Sequence, residues 1–409
     1  MFSQHSAFWR MSVRPVVMTL LAAALFLLPS TANAAPLCSI WTVVKSPNVT
    51  TGQFADNTLL SVAAISDTNV WAVGSESNTG SSPSGDHPLI EHWNGSAWSV
   101  SQFGSQVVRQ AAFLTSVSAS AANDVWAVGS ILPNGDFNTQ LPLSEHWNGS
   151  AWSVVTIPVP TGAITTRIEG VAAIAANNAW AVGTFSNNSL NLPLIEHWNG
   201  SAWSVTPNVP REISDSTDLH GITAISANDI WAVGEFDEGG PINLEMHWNG
   251  TSWSLATPAM LNAGTGESGG VPVAASGIAQ NDVWAVGGVG VTDQNHVQTQ
   301  NPFAIHWNGT QWTEVATPPA AVPSAANAFT AVSALAANDV WAVGINSGVG
   351  FIEHWNGTSW SMAPTPALGV SGSALFGIAK SGAASLWAVG STEPSVLVTN
   401  TLTIHTTLG

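Results

Sequence analysis

Short apolar runs alternate with polar turn clusters along nearly the whole chain. Ser61-Val62-Ala63-Ala64-Ile65 is one run, and Val70-Trp71-Ala72-Val73-Gly74 is the next. Leu89-Ile90-Glu91-His92-Trp93 and Ala97-Trp98-Ser99-Val100 follow. Runs this short, rich in β-branched and aromatic side chains and bounded by Asn, Asp, Gly and Ser, predict strands. Turns such as Ala122-Asn123-Asp124 separate the first run from the second. Asn94-Gly95 predicts a two-residue hairpin turn between the third and fourth, because a type I′ turn needs positive φ at both central residues.

The four-run unit recurs. Trp-Ala-Val-Gly begins at Trp71, Trp126, Trp180, Trp231, Trp284, Trp341 and Trp387, at spacings of 55, 54, 51, 53, 57 and 46. His-Trp-Asn-Gly begins at His92, His146, His197, His247, His306 and His354, and another Trp follows each of its tryptophans by five residues. A strand-rich period near 50 predicts propeller blades. The expected fold is all-β: a seven-bladed β-propeller with four antiparallel strands per blade. The seventh repeat ends without a fourth-strand Trp, but Ile40-Trp41-Thr42-Val43-Val44 matches fourth strands such as Ala151-Trp152-Ser153-Val154-Val155. The N-terminal strand is therefore expected to complete the last blade, which is split between residues 375–409 and 37–47, and to close the ring.

These motifs resemble kelch and galactose-oxidase-type propeller repeats, with an aromatic-hydrophobic-Gly second strand and a Trp-bearing fourth strand. The resemblance is nearest to secreted bacterial Trp-Ala-Val-Gly/His-Trp-Asn-Gly propeller proteins, and it covers residues 37–409. It implies a fold and is nearly silent on activity.

Residues 1–34 read as a secretory signal, with Arg10 and Arg14, the apolar run Val16 to Leu28, and an Ala32-Asn33-Ala34 cleavage pattern. The mature chain of residues 35–409 is expected to be secreted or held at the cell surface, with no membrane span. It keeps five basic residues against 25 acidic ones, a net charge of 5 − 25 = −20. Such a surface repels nucleic acid and anionic membranes. Cys38 is the only cysteine, so no intramolecular disulfide is possible.

Twenty of the 21 tryptophans occupy the repeat positions, which points to packing between sheets rather than to a sugar platform. The in-register histidines sit on third strands, too far from the axis to converge on a metal, and read as structural groups bonding to nearby loops. Glu91, Glu145, Glu196 and Glu353 read as partners in the same network. The six Asn-Gly-Ser/Thr sequences formally match glycosylation sites, but the turn role accounts for them.

Two connections vary in length between blades, from strand two to three and from strand four to one, and both emerge on one face. Variable loops on a rigid scaffold are where binding resides. The residue 11 positions before each second-strand Trp is expected to border the central channel: Leu60, Thr115, Glu169, His220, Val273, Thr330 and Phe376. A small residue follows each one. Glu169 and His220, with Asp218, are the candidates for acid–base catalysis. Thr115, Glu169, His220, Thr330 and Phe376 are binding-face candidates. Arg109, Arg167 and Arg211, read as lying ahead of the first strands of blades 2 to 4, are candidates for a carboxylate grip. No metal site or cofactor is expected; calcium at the acidic loops Asp136, Glu235-Phe236-Asp237-Glu238 and Asp293 is the one alternative.

The absence of Tyr removes copper-radical oxidation and the usual sialidase mechanism. The favoured reading is a non-enzymatic extracellular binding scaffold recognising a glycan or protein on the variable face. A carbohydrate-active hydrolase or lyase and a structural cell-envelope protein are the alternatives.

Overall fold

The computed structural model describes residues 40–78, 85–104, 110–136, 138–187, 190–210, 216–237, 240–256, 267–292, 298–318, 327–368, 372–382, 384–395 and 397–408. The signal sequence, Cys38, Arg109, Arg211, Glu238 and Asp293 lie outside the described residues. The chain forms seven four-stranded antiparallel sheets, six of them with strands in chain order and the seventh completed by the N-terminal strand. In blade 1 the strands are Ala55–Ser66, Asn69–Asn78, His87–Trp93 and Trp98–Val100. The second strand is buried on both faces, so it reads as a continuous apolar run. The fourth strand is only three residues long, which keeps the exposed edge short.

Tryptophans hold the ring together. Each second-strand Trp meets the fourth-strand Trp of the next blade edge to face, as in Trp71–Trp152 at 5.2 Å and Trp126–Trp203 at 5.0 Å. Third-strand tryptophans pack into the same layer, as in Trp71–Trp147 at 4.9 Å, and donate Nε1–H to the first turn of their own blade, as in Trp147 to Ala122 O at 3.2 Å. The third-strand rings bury much area and still satisfy a donor near the rim, whereas Nε1 of inner tryptophans such as Trp71 and Trp152 has no hydrogen-bond partner.

The same contacts close the circle. Trp341 of blade 6 meets Trp41 at 6.0 Å, and Trp387 of blade 7 meets Trp98 of blade 1 at 5.2 Å. Thr42–Val44 pairs with Val398–Thr407 in the register Thr42↔His405, Val43↔Ile404 and Val44↔Thr403. Thr403 Oγ1 donates to Val44 O at 2.6 Å, and Thr401 N donates to Asn48 Oδ1 at 2.8 Å. The N-terminal strand is therefore the fourth strand of blade 7.

The third-to-fourth connection differs from the two-residue turn that Asn-Gly suggests. Trp93 pairs with Trp98, so the loop has four residues, Asn94 to Ala97. Only the glycine takes positive φ, with Gly95 at 93°. Asn94 instead uses its side chain: Oδ1 accepts from Ser96 N at 2.9 Å, Ser96 Oγ at 2.8 Å and Ala97 N at 3.0 Å. The side-chain amide thus satisfies the loop donors that a two-residue turn would have paired across the strands.

Candidate binding site at the mouth of the ring

Every inner strand carries an extra residue at one equivalent position near the mouth. In blade 3, Ile168 pairs with Gly183 and Gly170 with Val182, leaving Glu169 without a partner. The same bulge leaves out Leu60, Thr115, His220, Val273, Thr330 and Phe376 in the other blades. A bulge bends its strand and re-aims the extra side chain. The neighbouring strand shows what permits it. A Cβ on Gly183, the glycine closing Trp-Ala-Val-Gly, would collide with Arg167 O, and one on Gly234 with Asp218 O. The repeated glycine admits the backbone that the bulge pushes toward it.

The seven bulged residues converge on a central cavity of about 280 Å³, which they line with the small residues that follow them. Small residues are needed because the inner strands touch there. A Cβ on Gly170 would stand 3.0 Å from His220 O, and one on Gly221 would stand 2.8 Å from Val273 O. Two mouth hydroxyls tie adjacent blades: Thr115 Oγ1 donates to Ile168 O at 2.9 Å, and Thr330 Oγ1 to Leu375 O at 2.7 Å.

Among the described residues that line the cavity, the titratable side chains are Glu169 and His220, from blades 3 and 4. Arg167 lies within the inner strand Thr165–Ala175, rather than ahead of it, because the strand begins four residues before the bulge. Its guanidinium pairs with Glu169, Nε to Oε1 at 3.2 Å, and with Asp218 of the next blade. Asn191 Nδ2 donates to Asp218 Oδ2 at 3.1 Å. His220 Nε2 stands 3.8 Å from Glu235 Oε1. The structure thus joins Glu169 to Asp218 through Arg167 and places His220 beside Glu235. Asn191 and Glu235 are the partners that sequence reasoning did not assign. Glu235 was within reach of it: the residue follows Gly234, which puts it opposite Asp218, two positions before the bulge.

The repeated histidines look away from this site. Each of the six stacks on the Trp opposite it, as His92 does on Trp71 at 4.2 Å, and directs Nε2 at an Asn or Asp of the first turn. His146 to Asp124 is 2.7 Å, and His354 to Asp339 is 2.9 Å. The glutamates do not share that network. Successive strand residues face opposite sides of the sheet, so Glu91 cannot join His92. Glu91, Glu145, Glu196 and Glu353 are instead fully buried between blades. Glu145 Oε2 accepts from Gly104 N at 2.9 Å, in the connection that leads into blade 2. Both carboxyl oxygens of Glu91 and of Glu196 have no hydrogen-bond partner. Burial pushes Glu91, Glu196 and Glu353 up to about 8, and Glu145 to about 7 despite its bond from Gly104. Glu245 of blade 4, set on the opposite face of its strand, is also buried and pushed up to about 7.

Among the described residues, no group of three or more His, Cys, Asp or Glu side chains is placed to hold a metal ion. Asp136 spends its carboxylate on its own loop, accepting from Asn138 N and Nδ2 at 2.9 Å, which holds its carboxyl below the usual range. Asp237 Oδ1 accepts from Gly240 N at 2.9 Å. Among the described residues, no helix is long and apolar enough to cross a membrane.

No protein-family model matches the chain, and no curated protein matches it. Solved structures do. U3-55K is 10% identical with a TM-score of 0.54, over 90% of this chain and 98% of its own. A polysaccharide lyase of family PL25, an ulvan lyase, is 11% identical with a TM-score of 0.53, over 86% and 94%. The GH74 xyloglucanase from Xanthomonas campestris is 10% identical with a TM-score of 0.54, over 89% of this chain but 55% of its own. The fold is a seven-bladed β-propeller. At these identities the likeness extends to the fold alone, and the propeller's site must be read from its own residues.

Proposed function

We propose that this propeller is a secreted, non-enzymatic binding scaffold that holds a glycan or protein ligand on the face of the strand two-to-three and four-to-one connections. The observation that carries this reading is the break in the repeat at the mouth. The tryptophan, histidine and glycine positions keep one chemistry from blade to blade, whereas the seven bulged residues are of six kinds, Thr alone occurring twice. A rigid frame that presents unlike side chains to one cavity is the arrangement of a recognition site. In this reading residues 1–34 are the secretory signal, residues 35–409 are the mature domain, and no cofactor takes part. The kelch and galactose-oxidase likeness is one of blade design.

The ionic ties weigh against hydrolysis. A general acid or base must be free to take up and return a proton, whereas a tied group serves as a fixed hydrogen-bond partner. Glu169 and Asp218 share one guanidinium, Asp218 also receives Asn191, and His220 faces Glu235. An inert envelope protein has no use for a mixed mouth. The ulvan lyase and the xyloglucanase share this scaffold, so the scaffold can be fitted to polysaccharides.

The test is a glycan array and a turnover assay on the secreted protein, with Glu169→Gln and His220→Ala beside it. Binding without turnover, lost in either variant, is expected. Turnover abolished by Glu169→Gln would replace this reading with the hydrolase or lyase. Absence of any ligand would leave the structural role.

A further inference from the structure

The order of the blades divides the mouth into two faces. Phe376 and Leu60 come from blades 7 and 1, which adjoin where the ring closes. Glu169 and His220 come from blades 3 and 4 on the far side of the cavity. Thr115, Val273 and Thr330 fill the positions between, and both threonine hydroxyls are spent on backbone carbonyls, Thr115 on Ile168 O and Thr330 on Leu375 O. Side-chain hydrogen bonding at the mouth is therefore concentrated on one side, opposite an aromatic ring and a leucine.

We propose that the mouth binds one neutral pyranose unit of a glycan per chain, its C–H face against Phe376 and Leu60 and its hydroxyls toward Glu169 and His220. This rests on the binding-scaffold reading and names its ligand. Three features select the class. The cavity, about 280 Å³, lies just below the range of drug-sized ligand pockets, about 300–1,000 Å³, which suits a single ring. A pyranose has an apolar face and a rim of hydroxyls that both donate and accept, matching an aromatic surface opposite a carboxylate and an imidazole. Among the described residues, Glu169 at the mouth and Asp218 and Glu235 beside it outnumber the guanidinium of Arg167, so a uronate or a sulfated sugar meets net repulsion. Because Phe376, Leu60, Glu169 and His220 each occur once among the seven positions, the site occurs once per ring and not once per blade.

The experiment is ligand-observed NMR and calorimetric titration of the secreted protein with methyl glycosides of neutral hexoses and of glucuronic acid. Phe376→Ala and Phe376→Leu are titrated in parallel, with thermal melts to show that each is folded. A stoichiometry of one is expected, with loss of about tenfold in affinity for both variants, the scale of an aromatic stacking contribution, and with no binding of the glucuronide. Phe376→Leu keeps apolar volume without the ring, so it reports on stacking if the alanine variant fails to fold. Several sites per chain, unchanged affinity in Phe376→Leu, or equal binding of the glucuronide would overturn the proposal. Array binding that persists in Phe376→Leu would overturn it while leaving the binding scaffold intact. A protein that binds no glycan and no protein would overturn both.

Discussion

The layer between blades and the mouth of the ring are built from the same strands under opposite rules. Between blades, one chemistry is repeated until it closes: a second-strand Trp, the next blade's fourth-strand Trp, and a His directed at a turn. At the mouth the backbone is repeated and the chemistry is not. The glycine of Trp-Ala-Val-Gly, and on the inner strand a bulge with a small residue after it, recur in all seven blades, but the side chains presented there are of six kinds. The difference separates what packing requires from what it leaves free: sevenfold features hold the blades together, and the position that departs from sevenfold order is the one to which the proposed reading assigns recognition.

The comparison breaks most visibly through the tryptophans. Trp126→Ala removes a fully buried ring from the contact between blades 2 and 3, with an expected cost of about 3–5 kcal/mol in equilibrium unfolding. Trp41→Ala is expected to cost a similar amount, because Trp41 is buried against Trp341 as the other fourth-strand tryptophans are against theirs. A Trp41→Ala protein with an unchanged melt would mean that the N-terminal strand does not hold the ring closed.

A smaller effect comes from the carboxyls buried in the same layer. Glu91, Glu196 and Glu353 are pushed up to about 8 by burial, from an ordinary value of 4.5. They stay protonated in the folded chain while the unfolded chain ionises. Their stabilising contribution is therefore full below about pH 4.5 and is lost as pH rises toward 8, with no further loss above. His92, His197 and His405 are held below their ordinary value by burial and act oppositely, losing stability as pH falls below 6.5. Melting temperature is expected to fall between pH 6.5 and 8, and Glu91→Gln/Glu196→Gln to flatten that fall. A double variant with the full fall would show that the two carboxyls are not neutral in the folded chain.

Much of this was legible in the sequence. The period of Trp-Ala-Val-Gly and a strand count from both termini were enough for seven blades and for closure by Trp41. The mouth residues followed from a fixed distance to Trp. The bulge was not legible, because a repeated glycine after a strand reads equally as a turn or as close packing. Asn-Gly misled, since that pair serves a two-residue turn through positive φ at both residues, whereas here Asn94 caps a longer loop with its side chain. Placing Glu91 with His92 overlooked the alternation of strand side chains. The tie from Arg167 to Asp218 joins residues 51 positions apart on different blades, and only tertiary geometry could show it.

The most direct test of the division is a mouth variant measured twice. Glu169→Gln/His220→Ala changes two half-buried side chains at bulged positions and leaves the tryptophan layer intact. Its melting temperature is expected to stay within about 2 °C of the parent, as for substitutions outside the packed core. Its affinity for the ligand found on the array is expected to fall at least tenfold. Unchanged affinity in this variant, with binding lost instead when a repeated outer position is altered, would place recognition on the blades and contradict the account.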